Sequence, residues 1–244
     1  MFTAYFDASG TKGTRVMTVA GFVSRVQKWG RFESAWTSLL PSTVTRFRMT
    51  DFVSSKNGWE DWKGDSERRV RFFRSLISCI KSHTNKGFAA SVQMKDYNDF
   101  DRLYMFREQV GPPYAFLGIA CLGRLRVWAE NKRIDWRKII CAFEDGDEGQ
   151  ADLMTRARKA EYNAIPQSKA AIRAFDSCDL AAWKARAVID DSWGRNLHLA
   201  DPDAADRIMR SLAQIELVLQ DNGMYSPESL GKICHELKIA RRLK

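Results

Sequence analysis

The chain of 244 residues is poor in histidine, has no closely spaced cysteine pair and lacks long apolar runs. With 3 histidines and no Cys-x-x-Cys sequence, it is not expected to hold structural zinc. Its 5 cysteines are odd in number and widely spaced, which predicts reduced, buried thiols rather than a disulfide framework. No early apolar run resembles a signal peptide, and none reaches the roughly 18 residues that span a bilayer. We therefore expect a cytoplasmic protein that does not cross a membrane.

A phosphate-cradling loop is also missing. Gly10 and Gly13 are not followed by Gly-Lys-Ser or Gly-Lys-Thr, so a turn is favoured at this point. What the chain has in excess is positive charge, with a formal net charge of +9 and a pI near 9.4. Such a balance favours polyanionic partners such as nucleic acid.

Residue patterns predict one α/β domain over residues 1–244. Phe2 to Asp7 and Arg15 to Val23 are β-favouring segments joined by turn residues, which indicates a β-hairpin. Further extended segments are expected at 46–52, 88–94, 139–143 and 170–175. Apolar residues at helical spacing predict helices at 28–40, 66–80, 112–130, 151–162 and 179–188. Residues 200–244 are expected to form a C-terminal helical extension.

Three acidic residues stand where predicted strands end or predicted helices begin. Asp7 ends the first strand, Glu144 follows an apolar strand, and Asp179 opens a helix. Because ligands of α/β sheets bind outside the carboxyl ends of the strands, these side chains are expected to converge. Side chains alternate along a strand, so Glu144 is favoured over Asp145, with Asp147 as an alternative ligand.

Converging carboxylates without an obligatory histidine suit a hard divalent cation. Mg²⁺ and Mn²⁺ prefer oxygen ligands, and Mg²⁺ binds a few carboxylates while it keeps several waters. Such ions activate water and stabilise the leaving oxygen in phosphodiester cleavage. The pattern therefore predicts Mg²⁺ or Mn²⁺ as the cofactor, held by Asp7, Glu144 and Asp179 with Asp147 nearby.

Four motifs together carry a resemblance to a known family. They follow in the order Asp-x-Ser-Gly from Asp7, Phe-x-Met-Thr-Asp-Phe from Phe47, Phe-Glu-Asp-Gly-Asp-x-Gly-Gln from Phe143, and Asp-Leu-Ala-Ala from Asp179. From about residue 2 to residue 190, the chain resembles the bacterial family called domain of unknown function 3800. The resemblance implies a ribonuclease H-like mixed sheet flanked by helices and a metal-dependent nuclease site at Asp7, Glu144 and Asp179. It also implies an association with mobile elements and phage defence.

The chain departs from the family's pattern at two positions. Ala8 stands where the family usually has a glutamate, and Arg48 stands where it usually has a histidine. Successive residues of a strand point to opposite faces, so position 8 is expected to face away from Asp7 and leave the site intact. If the missing glutamate were a ligand, only one metal ion would be bound well.

Basic residues are scattered along the chain rather than gathered in one run. The candidates for phosphate contacts are Arg48, Arg156, Arg158 and Lys159. In a nuclease they would hold the substrate backbone, whereas the alternative is a solvated face. Trp59 and Trp62, in a polar loop, either stack on exposed bases or fold back onto the domain.

Each acidic candidate has a structural alternative. Asp7 could instead begin a tight turn, and Asp179 or Asp176 could be the N-cap of a helix. Residues 144–148 could form a solvated acidic loop. Asp51 is the weakest of the candidate ligands.

Taken together, these residues predict a nuclease that cleaves DNA or RNA with Mg²⁺ or Mn²⁺. The runner-up is a protein that keeps the fold without catalysis, as a nucleic-acid-binding or scaffold subunit of a defence complex. A third alternative is a hydrolase of a small phosphorylated molecule such as a nucleotide. A protein partner or a homodimer is compatible with each of them.

Overall fold

The computed structural model describes residues 1–10, 13–190 and 221–239. Within these residues, six strands form one sheet. The strands are β1 (Phe2–Ser9), β2 (Val16–Arg25), β3 (Lys86–Gln93), β4 (Ile140–Glu144), β5 (Asn163–Gln167) and β6 (Asp221–Tyr225). Their order across the sheet is β5-β4-β1-β2-β3-β6, and of these six only β2 runs antiparallel to its neighbours.

Helices cover both faces of this sheet. Those in the described residues are α1 (Val26–Leu39), α2 (Met49–Ser54), α3 (Ser66–His83), α4 (Met94–Tyr104), α5 (Phe106–Val110), α6 (Pro113–Asn131), α7 (Gln150–Lys159), α8 (Ala174–Asp190) and α9 (Pro227–Glu236). The predicted class, a mixed α/β sheet flanked by helices, is confirmed. Across the same ranges, no helix is long and apolar enough to cross a membrane.

The predicted hairpin at the start of the chain is confirmed. β1 and β2 pair in antiparallel register from Phe2 with Arg25 to Ser9 with Thr18. Every residue of β2 except the last is buried, because helices pack on both of its faces. In the strand order, β1 lies in the middle of the sheet, between β2 and β4.

The sheet separates two apolar cores, because alternate residues of a strand face opposite sides. Tyr5 of β1 packs against the core that includes α1, α3 and α8, whereas Phe6 belongs to the core with α6 and α7. Phe6 stacks on Phe143 of β4, with ring centroids 4.9 Å apart. Asp7 shares the face of Tyr5 and therefore points to the side of α8.

Two predicted extended segments are wrong. Residues 46–52 become helix from Met49 onward, and residues 170–175 lead into α8, which begins at Ala174. The strand lies earlier, as β5, with the sequence Asn-Ala-Ile-Pro-Gln. It is a partly exposed edge strand with a proline, so it lacks the apolar alternation by which strands are recognised.

The C-terminal segment contributes a strand that the sequence did not predict. β6 pairs in parallel with β3 at the edge of the sheet, and α9 follows it. The other parts of the predicted helical extension, residues 200–220 and 240–244, lie outside the described residues.

Buried thiols and indoles follow the predicted pattern. All five cysteines are free and buried. Trp59 and Trp62 are buried as well, and the guanidinium of Arg68 lies 4.0 Å from the ring centroid of Trp62. The polar loop therefore folds its indoles back onto the domain, and the alternative of base stacking on them is wrong.

Candidate active site

The register of β1 and β4 places two predicted ligands side by side. Phe6 pairs with Phe143 in parallel register, so the next residues, Asp7 and Glu144, lie together at the same edge of the sheet. Alternation turns Glu144 to the side of Asp7, whereas Asp145 is exposed. Glu144, and not Asp145, therefore lies beside Asp7.

Asp179 reaches the same edge from helix α8. The helix packs against β1, where Cys178 Sγ donates a hydrogen bond to Tyr5 O at 3.1 Å. The neighbouring Asp179 accepts a hydrogen bond at Oδ2 from Met49 N, at 2.7 Å. The first amide of α2 thus orients this carboxylate. Asp179 is not the N-cap of its own helix, because α8 begins at Ala174.

A lysine that the sequence analysis did not single out lies in the middle of these acids. Its ammonium contacts three carboxylates: Lys169 Nζ lies 2.7 Å from Asp7 Oδ2, 3.0 Å from Glu144 Oε2 and 3.7 Å from Asp179 Oδ1. The lysine side chain is 11% exposed, and Asp7 is 2% exposed. We call the side chains of Asp7, Glu144 and Asp179 the carboxylate cluster. Its three members converge on one cationic position.

Local structure explains how Lys169 arrives there. Glu144 pairs with Gln167, the last residue of β5. Directly after the strand, Ser168 Oγ accepts a hydrogen bond from Ala170 N and caps a single 3-10 turn that contains Lys169. The turn holds the lysine in front of the strand ends, and its side chain reaches across β4 to Asp7.

Burial and charge shift the pKa values of the two most enclosed groups. Burial raises the pKa of Asp7 well above its ordinary value, and the hydrogen bond with Glu144 raises it further, against the charge of Lys169. Burial by itself lowers the pKa of Lys169, but the carboxylates of the cluster outweigh burial and the net pKa is raised. Lys169 is therefore an ammonium at neutral pH.

The other two acids respond differently to the same surroundings. Burial raises the pKa of Glu144, yet the hydrogen bond with Asp7 and the charge of Lys169 turn the net shift downward. Asp179 keeps a raised pKa, because burial outweighs both Lys169 and the hydrogen bond from Met49 N. Three carboxyl groups thus face one ammonium, and this surplus of acid favours the binding of a cation of higher charge.

Asp147, the predicted alternative ligand, lies in the loop between β4 and α7. Its Oδ2 is buried and has no hydrogen-bond partner among the described residues. Burial, followed by the charge of Glu144, raises the pKa of Asp147 to about 6, against the opposing charge of Lys169. A buried polar oxygen without a partner lowers the stability of the folded protein. A bound cation would supply the partner that Asp147 Oδ2 lacks.

Replacement of Asp147 by asparagine is expected to remove a pH dependence of stability in metal-free protein. The folded-state pKa of about 6 exceeds the unfolded value of about 4, so the native state binds the proton more tightly and stability falls as pH rises between them. The full shift corresponds to ~3 kcal/mol, which screening at this partly exposed group reduces to about 1 kcal/mol. Thermal unfolding in chelator should therefore show Asp147→Asn above the wild type at about pH 7.5 and level with it at about pH 4. A difference that is the same at both pH values would contradict this titration.

A divalent cation is the predicted occupant of the site. Among the described residues, no group of three or more Asp, Glu, His or Cys side chains has the arrangement of a formed metal site. The ammonium of Lys169 lies between the carboxylates of the cluster. The donor set, carboxylate oxygens with an unpartnered oxygen of Asp147 beside them, is the one that Mg²⁺ and Mn²⁺ prefer. The residues fit the ion in their chemistry, and they would bind it in place of the ammonium.

The segment with the second motif supports α8 and supplies no carboxylate to the cluster. Arg46 Nη2 lies 2.9 Å from Asp176 Oδ1, and Phe47 N donates a hydrogen bond to Asp176 Oδ2 at 3.3 Å. Asp176 is fully buried and anchors the segment that also supplies the amide donor to Asp179. Asp51 lies within α2, and in the described chain no hydrogen bond or ion pair joins its side chain to the cluster.

Arg48 is the predicted phosphate contact that lies beside the acids. Its side chain is exposed, and its charge acts on both Glu144 and Asp179. Its guanidinium is a permanent cation at the edge of the carboxylate cluster.

The basic residues of α7 are placed differently. Arg156 Nη1 donates a hydrogen bond to Gln109 O at 2.7 Å and so joins α7 to the end of α5. Arg158 and Lys159 are exposed in the last turn of α7. Because α7 leads from the end of β4 to the start of β5, these two lie ~12 Å along the helix from its start near the cluster. They do not join the carboxylate cluster.

Ala8 lies on the opposite face of the sheet from the cluster. Its side chain packs partly against the core with α6, as the alternation along β1 predicts. A glutamate at this position would not stand beside Asp7 on the side of α8.

Comparison with known proteins leaves the chain without an assigned family. No protein-family model matches it, and no curated protein matches it in sequence. Among solved structures, it is similar to the ribonuclease H2 from Pyrococcus horikoshii OT3, with a TM-score of 0.42 and 16% sequence identity, over 98% of this chain and 99% of that chain. This degree of similarity is too low to indicate a shared activity.

Proposed function

We propose that this protein is a metal-dependent nuclease that hydrolyses phosphodiester bonds of DNA or RNA. The observation that carries the proposal is the convergence of Asp7, Glu144 and Asp179, from three different elements, on one cationic position. Buried acids are costly unless a cation compensates them, so their gathering at one edge of the sheet indicates a cation site. The net charge of +9 favours a polyanionic substrate.

In this proposal Asp7, Glu144 and Asp179 hold Mg²⁺ or Mn²⁺, and Asp147 completes the set of oxygen donors. When bound, the ion supplies the Lewis acid that activates water against a phosphodiester. Backbone amides already orient two of the carboxylates, at 2.7 Å from Asp7 Oδ1 and 2.7 Å from Asp179 Oδ2. Their oxygens therefore need little rearrangement when the substrate arrives.

A divalent ion would take the oxygens that Lys169 Nζ contacts, so it would displace the ammonium from the cluster. Lys169 and Arg48 would then be the cations available near the cluster to contact a substrate phosphate. Lysine and arginine contact phosphate without reading the base sequence, so the proposed substrate is bound through its backbone.

The test is the cleavage of labelled single- and double-stranded DNA and RNA by the purified protein, with Mg²⁺, with Mn²⁺ and with chelator. We expect cleavage of at least one substrate that requires the metal and weakens steeply as salt increases. Cleavage that persists in chelator, or no cleavage of any of the substrates, would refute the proposal.

One observation favours the runner-up, a subunit that binds nucleic acid or a partner protein without catalysis. The ammonium of Lys169 already fills the cationic position and neutralises part of the acid cluster. Salt-sensitive binding to nucleic acid, with no turnover in Mg²⁺ or Mn²⁺, would support this second function over the first.

We extend the proposal to the family and the cellular compartment of the protein. The four motifs support membership in the family called domain of unknown function 3800, and with it a ribonuclease H-like fold and a role in phage defence. The free, buried state of the five cysteines supports a reducing compartment such as the cytoplasm.

A further inference from the structure

A cavity of about 520 Å³ lies at the edge of the sheet where β1 and β3 begin, opposite to the edge that holds the carboxylate cluster. Its wall also takes in the end of β2, the start of α1 and the end of α6. The side chains that matter here are Phe2, Arg25, Lys28, Asn85, Trp128 and Lys132. Three of them are cationic, and of the described residues that line the cavity none is acidic.

The cations of this cavity are not neutralised by carboxylates of the described chain. The guanidinium of Arg25 lies 5.7 Å from the ring centroid of Phe2, and no ion pair joins Lys28 or Lys132 to an acid within the described ranges. The acids that flank Lys132 in the sequence are engaged elsewhere, Glu130 with Arg126 at 2.8 Å and Asp135 with Lys138 at 3.6 Å. The cavity therefore presents uncompensated positive charge.

Asn85 adds an amide whose orientation is fixed. Its Oδ1 accepts a hydrogen bond from Ser24 Oγ at 2.9 Å. The Nδ2 group of the same amide is then the end that can donate to an anion. Cations together with an amide donor are the groups that contact phosphate oxygens.

Two half-buried aromatic side chains accompany the cations. The rings of Phe2 and Trp128 meet edge to face, with centroids 5.8 Å apart, and both line the cavity. Sites for single-stranded nucleic acid combine a positively charged groove with aromatic rings on which bases stack. The wall of this cavity has both features.

A second cavity continues the first along the same edge of the sheet. It has a volume of about 630 Å³, and Phe2 and Ile134 line both cavities. It reaches Asn163 at the start of β5, whereas the first cavity reaches Asn85, which precedes β3. From β5 to β3 the strand spacing of ~4.8 Å gives a length of ~19 Å. This length takes about five nucleotides at the ~3.4 Å rise of stacked bases, so it suits an extended strand better than a small anion.

We propose that these two cavities, which we call the basal groove, bind the backbone of a single-stranded nucleic acid. Arg25, Lys28 and Lys132 hold phosphates, and Trp128 lies where an unpaired base can stack. β1 separates the groove from the carboxylate cluster by about 17 Å, so the two contact different parts of one strand. The role as a second contact for the substrate rests on the proposed nuclease function. The binding does not, because it needs no metal.

The experiment is a fluorescence-anisotropy titration of the full-length protein with labelled single strands of DNA and RNA, in chelator and at several salt concentrations. The groove variant carries Arg25→Gln, Lys28→Gln and Lys132→Gln. We expect its affinity to fall about tenfold or more at low salt. The slope of log affinity against log salt concentration should fall by about 2, because three phosphate contacts are lost.

A matched control removes the same charge elsewhere. It carries Lys63→Gln, Lys95→Gln and Lys232→Gln, at exposed positions before α3, in α4 and in α9. We expect this protein to keep the wild-type affinity and salt slope. Both variants should unfold at the wild-type temperature, since exposed charges contribute little to stability.

The outcomes distinguish the groove from the nuclease. A groove variant that binds as the wild type does, or that loses no more affinity than the control, would overturn the groove even in a protein that cleaves. So would mononucleotides or inorganic phosphate that compete as well as an unlabelled strand, because the site would then take a small anion. A loss confined to the groove variant would support the proposal, whatever the result of the cleavage assay.

Discussion

Replacement of Asp7 by asparagine is expected to lower metal-dependent cleavage by about 10³-fold or more. Asp7 Oδ2 is the cluster oxygen with the shortest distance to the cationic position, at 2.7 Å from Lys169 Nζ. Asparagine keeps the shape of the side chain and the oxygen that accepts from Ala8 N, but it removes the charge that would hold a divalent ion. Each ~1.4 kcal/mol of lost transition-state stabilisation slows a reaction tenfold. We expect the loss of a metal ligand to remove about three times this energy, which gives the predicted factor of about 10³.

The Asp7→Asn protein should nevertheless fold. Its buried carboxyl has a raised pKa, so the neutral amide removes repulsion within the cluster. Thermal unfolding in chelator should therefore give an unchanged or higher midpoint, and circular dichroism an unchanged spectrum. Asp145→Asn is the matched control, since Asp145 is exposed and adjacent in sequence to Glu144. Near wild-type cleavage by Asp7→Asn, or an equal loss in the control, would show that the site is misplaced.

Replacement of Lys169 by methionine is expected to destabilise the metal-free protein by ~3–5 kcal/mol, the usual effect of removing one partner from a buried ion pair. Methionine keeps a long unbranched side chain but leaves three carboxyl groups without their ammonium. Saturating Mn²⁺ should restore the unfolding temperature, because a ligand that binds only the native state stabilises it. Calorimetric titration should show Mn²⁺ binding at least about tenfold tighter than in the wild type, since no ammonium has to be displaced.

A surface lysine provides the comparison for this second variant. Lys138 is 84% exposed and lies 3.6 Å from Asp135, and such surface pairs contribute little. Lys138→Met should therefore change neither the unfolding temperature nor the affinity for Mn²⁺. If Lys169→Met is destabilised and Mn²⁺ does not rescue it, Lys169 is a permanent partner of the acids, and the subunit without catalysis becomes the better assignment.

Much of the fold follows from local residue patterns. The turn residues between two β-favouring segments predict the hairpin of β1 and β2, and the apolar face of residues 66–80 predicts α3. The double proline before Tyr114 similarly predicts the start of α6. Such patterns succeed because burial of one face is decided within a single element.

Two elements escaped prediction for different reasons. α4 follows β3 directly, and its apolar residues Met94, Tyr97, Phe100 and Tyr104 keep a helical spacing that the sequence analysis did not use. β5 exists because it pairs with β4, and its exposed residues give no sign of that pairing. The amide of Met49 meets Asp179 only because α2 and α8 pack together, 130 residues apart in sequence.

By itself, the sequence determined which acids stand at strand ends. Asp7 lies near the end of β1 and Glu144 is the last residue of β4, and the alternation of side chains separates Glu144 from the exposed Asp145. Only the tertiary structure decided what these acids meet. Lys169 stands 162 residues from Asp7 and 25 from Glu144, and it enters the cluster because β5 pairs beside β4. The physical reason is that charge compensation depends on distance in space, which strand pairing decides and which no local pattern of residues records.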